Sequence, residues 1–346
     1  PLTSYKKAHW SIFGRTGSGK SQLLQSVILE HLSEPDPPAM IVIDSQGDML
    51  KKLERLELFA DRLKDRLTVI DAQAAQPPAL NMFDMPNLSA AAEIEVIDLY
   101  SYIFSTIDAD LTSRQSTAFS YIIRLMMAHP GATVLTLLDL LEERPRTPQQ
   151  SKFWPTVEKL DAVAQGYFAN RFFTQVTNQT KEQLATRLYG VLRVKPVMHM
   201  FTAKENKLDL HACMEGKHAV LINTGGLGEA SSIFGRYMIA LAMRAAFQRN
   251  IAREPEPVLL FVDEAFDLMD ASINRILIQA RKFGLFIRFA TQQYDQIPTE
   301  VRAAAAANTE VKLAGGVSAN DARTLATDMR TSSDFLLAAR KFDRGE

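Results

Sequence analysis

Gly14-Arg15-Thr16-Gly17-Ser18-Gly19-Lys20-Ser21 has the spacing G-x-x-x-x-G-K-[ST]. It follows a short apolar stretch, His9 to Phe13, and opens an amphipathic one, Gly19 to Leu32. A phosphate cradle needs backbone amides that converge on anionic oxygens, so glycine is required where a side chain would block the approach. A helix beginning near Gly19 adds the positive end of its dipole. On this reading Gly14, Thr16, Gly17, Ser18, Gly19, Lys20, Ser21 and Gln22 line a site for ATP. Lys20 reaches the β- and γ-phosphates, and the Ser21 hydroxyl is a ligand to Mg2+. The competing reading is a glycine-rich turn with a solvated lysine, which the strand before and the helix after the turn disfavour.

Outward from this loop the chain alternates strands and helices. His9 to Phe13, Met40 to Asp44 and Leu67 to Ile70 read as strands, with helices over Gly19 to Leu32 and Asp48 to Leu58 between them. After a long interval Ala219 to Asn223, Val258 to Val262 and Leu285 to Thr291 read as strands, and Glu310 to Ala314 as an edge strand. Glu229 to Asn250 is a long helix, and Ser318 to Asp321 has capping-box spacing before a closing helix. Strands spaced by helices predict an α/β fold with a mainly parallel sheet. The interval is different: residues 89–195 carry helical periodicity and almost no strand signal. Thr147-Pro148-Gln149-Gln150 and Thr180 to Gln183 both have helix-start spacing there. The expected organisation is an α/β domain over 1–85 and 200–346, interrupted by an all-helical domain over 86–199.

The second half of the chemistry lies in Val258-Leu259-Leu260-Phe261-Val262-Asp263-Glu264. An apolar strand ending in Asp-Glu presents two carboxylates at the carboxyl edge of the sheet, where open α/β folds bind ligands. Asp263 suits Mg2+, and Glu264 suits a general base that polarises the attacking water. The alternative is a solvated strand end, which the phosphate loop makes the weaker reading. Gln292 ends the next strand and could orient that water or sense the γ-phosphate, or simply be a polar terminus. Arg281, on the preceding helix or its end, is either a cation offsetting the helix dipole or a finger reaching a neighbouring subunit's γ-phosphate. Asp44 and Asp48 follow the second strand near the ligand edge of the sheet, where they could touch the site, with helix capping by Asp48 the preferred role.

Composition excludes little. The net charge is −1, so nucleic-acid binding requires local basic clusters or a pore made by several copies. A single cysteine, Cys213, excludes an internal disulfide framework and suits a reducing cytoplasm. The six histidines have no metal-like spacing, and Trp10 and Trp154 read as core or interface residues. No apolar run approaches the roughly 18–20 residues of a membrane span, and Pro1 to His9 does not read as a signal peptide. Because the first strand and the phosphate loop begin almost at once, the chain is expected to be a trimmed soluble part of something longer.

Taken together, His9 to Ser21, Ile41 to Asp48, Leu208 to Gly228, Val258 to Ala265 and Ala280 to Gln292 resemble the HerA/FtsK superfamily of hexameric motor ATPases. Within it the likeness is greatest to TraG/TraD-type coupling proteins of conjugation and type IV secretion, which carry an all-α domain where the helical interval falls. The resemblance implies a RecA-like P-loop fold, ATP and Mg2+ as cofactors, and a ring of six that moves DNA or a protein–DNA conjugate. It further implies secretion or relaxosome proteins as partners, and a place at the cytoplasmic face of the inner membrane. By the same resemblance Lys20 and Ser21 match the nucleotide and Mg2+ residues and Asp263 and Glu264 the Walker B pair. Gln292 matches the polar sensor and Arg281 the arginine finger. Rival expectations are an ATPase for protein export or pilus assembly, a HerA-like repair translocase, or a nucleotide-gated adaptor recruiting partners through its helical domain. A small-molecule kinase is poorly served by this chain.

Overall fold

Val258–Val262 is apolar at every position and completely buried, so it must be covered on both faces, as an interior strand of a parallel sheet is. The computed structural model describes residues 5–74, 77–81, 83–84, 97, 112–228, 230–269, 271–292, 294–295 and 297–338. Among these, seven strands form one sheet: β1 (His9–Gly14), β2 (Ala39–Asp44), β3 (Leu67–Asp71), β4 (Ala219–Asn223), β5 (Val258–Val262), β6 (Leu285–Thr291) and β7 (Thr309–Gly315). Their order is β3-β4-β2-β5-β6-β1-β7, and every pairing is parallel. All carboxyl ends therefore lie along one edge. The strand that feeds the glycine-rich loop, β1, is separated from β5 by β6 alone.

The chain divides into two compact units, one of residues 1–71 and 210–346 and the other of 72–209. In the first, the helix Lys20–Leu32 lays Leu24, Val27 and Ile28 against Trp10, Ile12, Val42, Phe261 and Ala290, alternate residues of four strands. Each such fully buried aliphatic or aromatic side chain contributes about 1.5–3 kcal/mol by leaving water. In the second unit, the helices Ser113–Ala128 and Val134–Glu142 start with reciprocal capping boxes at Thr112 and Thr133. Phe172 packs edge to face with both Phe168 and Phe173, and the Lys181 ammonium lies over Phe172 and donates to the Glu143 carbonyl at 2.6 Å. Residues 86–111, where the helical interval was expected to begin, lie outside the described residues apart from Ile97. Among the described residues no helix is long and apolar enough to cross a membrane.

Four local expectations are corrected. After Thr147, Pro148–Gln150 forms a single 3-10 turn with no side-chain cap, and the backbone is already extended at Ser151, so no helix follows for Thr147 to cap. Thr180 caps nothing: the helix begins at Asn178, continuous with a 3-10 turn over Gln175–Thr177, so Thr180 sits inside it. The helix from Asp48 ends at Leu53, and a separate 3-10 turn covers Glu57–Phe59. Its start is held by Asp44, whose carboxylate accepts from the amides of Gln46 (2.9 Å) and Met49 (3.1 Å), while Asp48 is exposed. Gly47 precedes the helix in a left-handed conformation, and the chain reverses there so that the buried Asp44 reaches the orphan amides.

One charged group in the core has no counterpart in the sequence reading. Arg288, in the middle of β6, is 0% exposed, with its guanidinium 4.2 Å from the Trp10 ring centroid and 5.2 Å from that of Phe261. It donates to His31 Nε2 at 2.7 Å and to the Tyr5 carbonyl at 3.3 Å. Because arginine can only donate, His31 Nε2 must be unprotonated, and its hydrogen sits on Nδ1, facing Glu34 at 2.9 Å. His9 is fixed the same way, its Nδ1 accepting from the Ile287 amide at 3.0 Å. Burial and, next, the charge of Arg288 lower the His31 pKa from 6.5 to about 4; burial and then Arg281 do the same to His9.

Both histidines take up protons in the unfolded chain near pH 6.5 but not in the native one, so stability is fully present above that value and falls as pH drops towards 4. The combined loss is on the order of a few kcal/mol across that window. Melting temperature followed from pH 7.5 to 4.5 should decline steadily, and His31→Gln, which keeps an acceptor for Arg288, should flatten the decline. An unchanged slope in that variant would refute the assignment.

Candidate active site

The loop after β1 is shaped by its glycines. Gly17 and Gly19 have φ of +79° and +88°, a region costing L-residues about 1–2 kcal/mol. A Cβ on Gly19 would meet nothing within 4 Å, so glycine is needed there for conformation and open approach rather than packing. Gly14 is different: a Cβ there would lie 2.4 Å from the Gly315 carbonyl oxygen and 2.5 Å from Ser18 Oγ. The turn is closed by the Ser18 amide on the Arg15 carbonyl at 3.1 Å, and the helix takes over at Lys20. Its first-turn amides thus open at the carboxyl edge of the sheet, as an anion site requires.

Lys20 is buried, its ammonium 3.4 Å from the Arg15 carbonyl oxygen and 3.8 Å from Glu264 Oε1. The loop and the acidic end of β5 are therefore brought together. Glu264 is one of three non-glycine residues with positive φ among the described residues (φ 47°, ψ 50°). That strained conformation turns the chain sharply after β5 and leaves the carboxylate 19% exposed beside Lys20. Asp263 is buried, and its Oδ1 accepts from the Glu264 amide at 2.9 Å. Burial raises the Asp263 pKa; the Ser21 hydroxyl and Glu264 amide hydrogen bonds pull it down, and the Asp44 and Glu264 charges push it up again. A buried carboxylate in hydrogen-bonding contact with Ser21 and crowded by two others is a hard-oxygen donor set that a cation would relieve. Among the described residues no group of three or more acidic, histidine or cysteine side chains could hold a metal alone. Ser21 and Asp263 would instead offer the one or two protein oxygens that suffice for Mg2+ when phosphates complete its shell.

β6 lies between β5 and β1, and the residue after it, Gln292, accepts through Oε1 from the Thr16 hydroxyl at 2.8 Å. This contact couples the loop to the strand between the two halves of the site. Gln22 is exposed on the first helical turn, one residue past Ser21. Arg281 is not with the others. It precedes β6, paired with Glu310 at the start of β7 and 60% exposed. The seven residues of β6 put about 20 Å between it and the loop end of the sheet.

The sequence reading ranked helix capping by Asp48 above a place at the site for Asp44, whose charge bears on Asp263, and it missed the bond between Thr16 and Gln292. Both depend on the order of strands, for which no local pattern exists. It also missed the left-handed backbone of Glu264, an unusual state for a residue other than glycine.

Residues 3–189, more than half of the chain, match the family model described as the central domain of helicase HerA. The chain belongs to the HerA central-domain family. It is a P-loop ATPase with a RecA-like, all-parallel sheet. No curated protein matches it by sequence. Among solved structures, the bacterial conjugative coupling protein TrwBdeltaN70 is similar with a TM-score of 0.64 and 18% identity, over 94% of this chain and 72% of that one. TrwB in complex with ADP and Mg2+ superposes with a TM-score of 0.63 at 18% identity, over 94% and 74%. VirB4 of Thermoanaerobacter pseudethanolicus follows at 0.59 and 15%, over 98% of this chain and 85% of that one. At such identities the likeness is one of fold.

A general-base role for Glu264, as read from the sequence, predicts that binding and turnover separate on its substitution. Glu264→Gln should retain ATP binding within a few-fold while steady-state turnover falls about 10²- to 10⁴-fold. Loss of binding with turnover per bound nucleotide unchanged would contradict that assignment. Gly14→Ala should destabilise the fold by several kcal/mol, because the Gly315 carbonyl it meets is backbone and cannot step aside. A melting temperature equal to that of the parent would contradict it.

Proposed function

We propose that this chain is the ATP-hydrolysing motor of a conjugation or type IV secretion machine, working as a ring that moves DNA or a protein–DNA conjugate. The observation that carries the reading is the position of Arg281. It is exposed, lies at the amino edge of the sheet, and stands about a strand length from its own Lys20. Arg281 is paired with Glu310 within its own chain, and the nucleotide it could reach is one held by another copy; a closed ring, with six copies as in the superfamily it resembles, would give every site one such partner.

Within one subunit the loop amides and Lys20 would bind the β- and γ-phosphates of ATP. Ser21 and Asp263 would hold Mg2+, which neutralises developing phosphate charge when bound. Glu264 would take the proton of the attacking water. Gln292, bonded to Thr16, would report the γ-phosphate to the strand on which Arg288 and the core depend. The fold shared with TrwB, a plasmid coupling protein, supports the conjugation reading. A second reading, an ATPase serving protein export at the cytoplasmic face of the membrane, is favoured by the larger share of VirB4 that the chain covers.

Steady-state ATPase with and without DNA, with mass measured in the same solution, tests the proposal. Turnover should rise several-fold with DNA in assemblies larger than a monomer, and Arg281→Ala should lower it there by about 10²-fold or more. Indifference to duplex and single strand alike would leave the export reading in its place. Unchanged turnover of Arg281→Ala in assembled protein would overturn the shared site.

A further inference from the structure

β1 and β7 pair in parallel, but their register slips once. His9 faces Thr309 and Trp10 faces Val311, so Glu310 is an extra residue on β7. Bulges are uncommon in parallel pairs, and they serve to re-aim a side chain or to end a pairing. This pairing runs on to Gly14 and Gly315, so the bulge re-aims a side chain, that of Glu310. Glu310 Oε2 accepts from the His9 amide at 3.0 Å, and Oε1 accepts from the Arg281 guanidinium. One carboxylate thus satisfies the strand at the bulge and holds the arginine.

The backbone on both sides of this pair is fixed. Thr309, buried beside Glu310, donates to the Ala305 carbonyl at 2.7 Å and lies 3.2 Å from the Ser11 hydroxyl. Lys312, two residues on, donates to the Ala306 carbonyl and to Asp328, both at 2.6 Å. Arg281 sits in the 3-10 turn Ala280–Phe283, which ends at the left-handed Gly284. A Cβ on Gly284 would lie 2.8 Å from the Arg249 guanidinium and 2.9 Å from the Glu256 carbonyl oxygen. The buried Arg249 holds this turn, donating to the carbonyls of Glu256 at 2.8 Å and Phe283 at 3.0 Å. The freedom left to the corner is that of the long arginine side chain itself. That side chain is 60% exposed and the one of Glu310 35%, so the pair leaves much of the arginine open to a partner.

We infer that Glu310 is the positioning residue for Arg281, orienting its guanidinium towards the nucleotide of a neighbouring copy. The inference rests on the reading of Arg281 as a residue shared between copies. A carboxylate on an arginine can either aim it or withhold it, and strength decides between the two. An exposed ion pair biases a population about fivefold at most. That is too little to keep an arginine from a triphosphate, whose several charges bind it more strongly. It is enough to favour one rotamer among the several that a long side chain samples. Arginine carries five donors in a fixed fork, so the hydrogen given to Glu310 leaves others for a phosphate. Glu310 touches no reacting atom and acts through Arg281.

Steady-state ATPase of the whole chain decides it, in Mg2+ with DNA present and in assemblies shown by mass to exceed a monomer. The variants are Glu310→Gln, Arg281→Ala and the two combined. Gln keeps an oxygen for the His9 amide and gives up the charge that orients Arg281. Glu310→Gln should lower kcat about 3- to 10-fold with KM within about twofold of the parent, since the arginine acts in the transition state. Added to Arg281→Ala, it should change kcat by less than about twofold, because the residue it works through is gone. A merely structural role would multiply the two losses, and that result overturns the inference. An unchanged kcat in Glu310→Gln overturns it as well, and a raised one marks a carboxylate that withholds the arginine. Loss of assembly in that variant also overturns it, making Glu310 an assembly residue. If Arg281→Ala itself turns over like the parent, the shared site fails and this inference with it. If Glu310→Gln alone does so, the shared site stands and the positioning is wrong.

Discussion

The whole site depends on a parallel sheet whose β1, β6 and β5 are consecutive neighbours. Parallel pairing forces every loop that follows a strand onto one edge, and this order puts the glycine-rich turn, Gln292 and the Asp263–Glu264 pair there within a few strand spacings, each about 4.8 Å. The left-handed turns at Gly17 and Gly19 then aim amides outward, and the left-handed turn at Glu264 brings a carboxylate to 3.8 Å from Lys20. None of these local features would make a site without the strand order. The strand order in turn needs β5 and β6 to be apolar on both faces.

The exception to that apolarity is instructive. Arg288 interrupts a strand that is otherwise LFI and FAT, and is accommodated because Trp10 and Phe261 flank its guanidinium while His31 and the Tyr5 carbonyl take its hydrogens. Its Nε keeps no partner, so satisfaction is incomplete. The cluster runs from β6 through the helix that carries Lys20 to Glu34, bonded also to Lys6. It therefore ties the strand ending at Gln292 to the helix beginning at the phosphate loop, a polar connection through an apolar layer. Such a buried charge specifies register at a cost in stability, since slipping β6 by one residue would bury Arg288 against the opposite face.

Much of this was legible in the residues. The seven strands were placed to within one or two positions because each is a short apolar run bounded by turn residues, and the glycine-rich loop because its chemistry demands particular residues at fixed spacing. The capping spacing at Ser318 was met by its hydroxyl on the Asp321 amide, yet the same spacing at Thr180 fell inside a helix. The spacing alone does not say whether the preceding residues are already helical. Strand order, the contact of Thr16 with Gln292, the capping of one helix by Asp44 rather than Asp48, and the pairing of Arg281 with Glu310 all depend on residues far apart in sequence. Local pattern carries no information about them.

The central claim is that the amides following β1 and the acids following β5 enclose the phosphates of one nucleotide. A crystal structure of this chain with a non-hydrolysable ATP analogue and Mg2+ tests it most directly. The account predicts phosphate oxygens within hydrogen-bonding distance of the backbone amides from Gly17 to Lys20, with Glu264 facing the γ-phosphate. A nucleotide bound elsewhere on the molecule, with the loop amides turned from it, would contradict it.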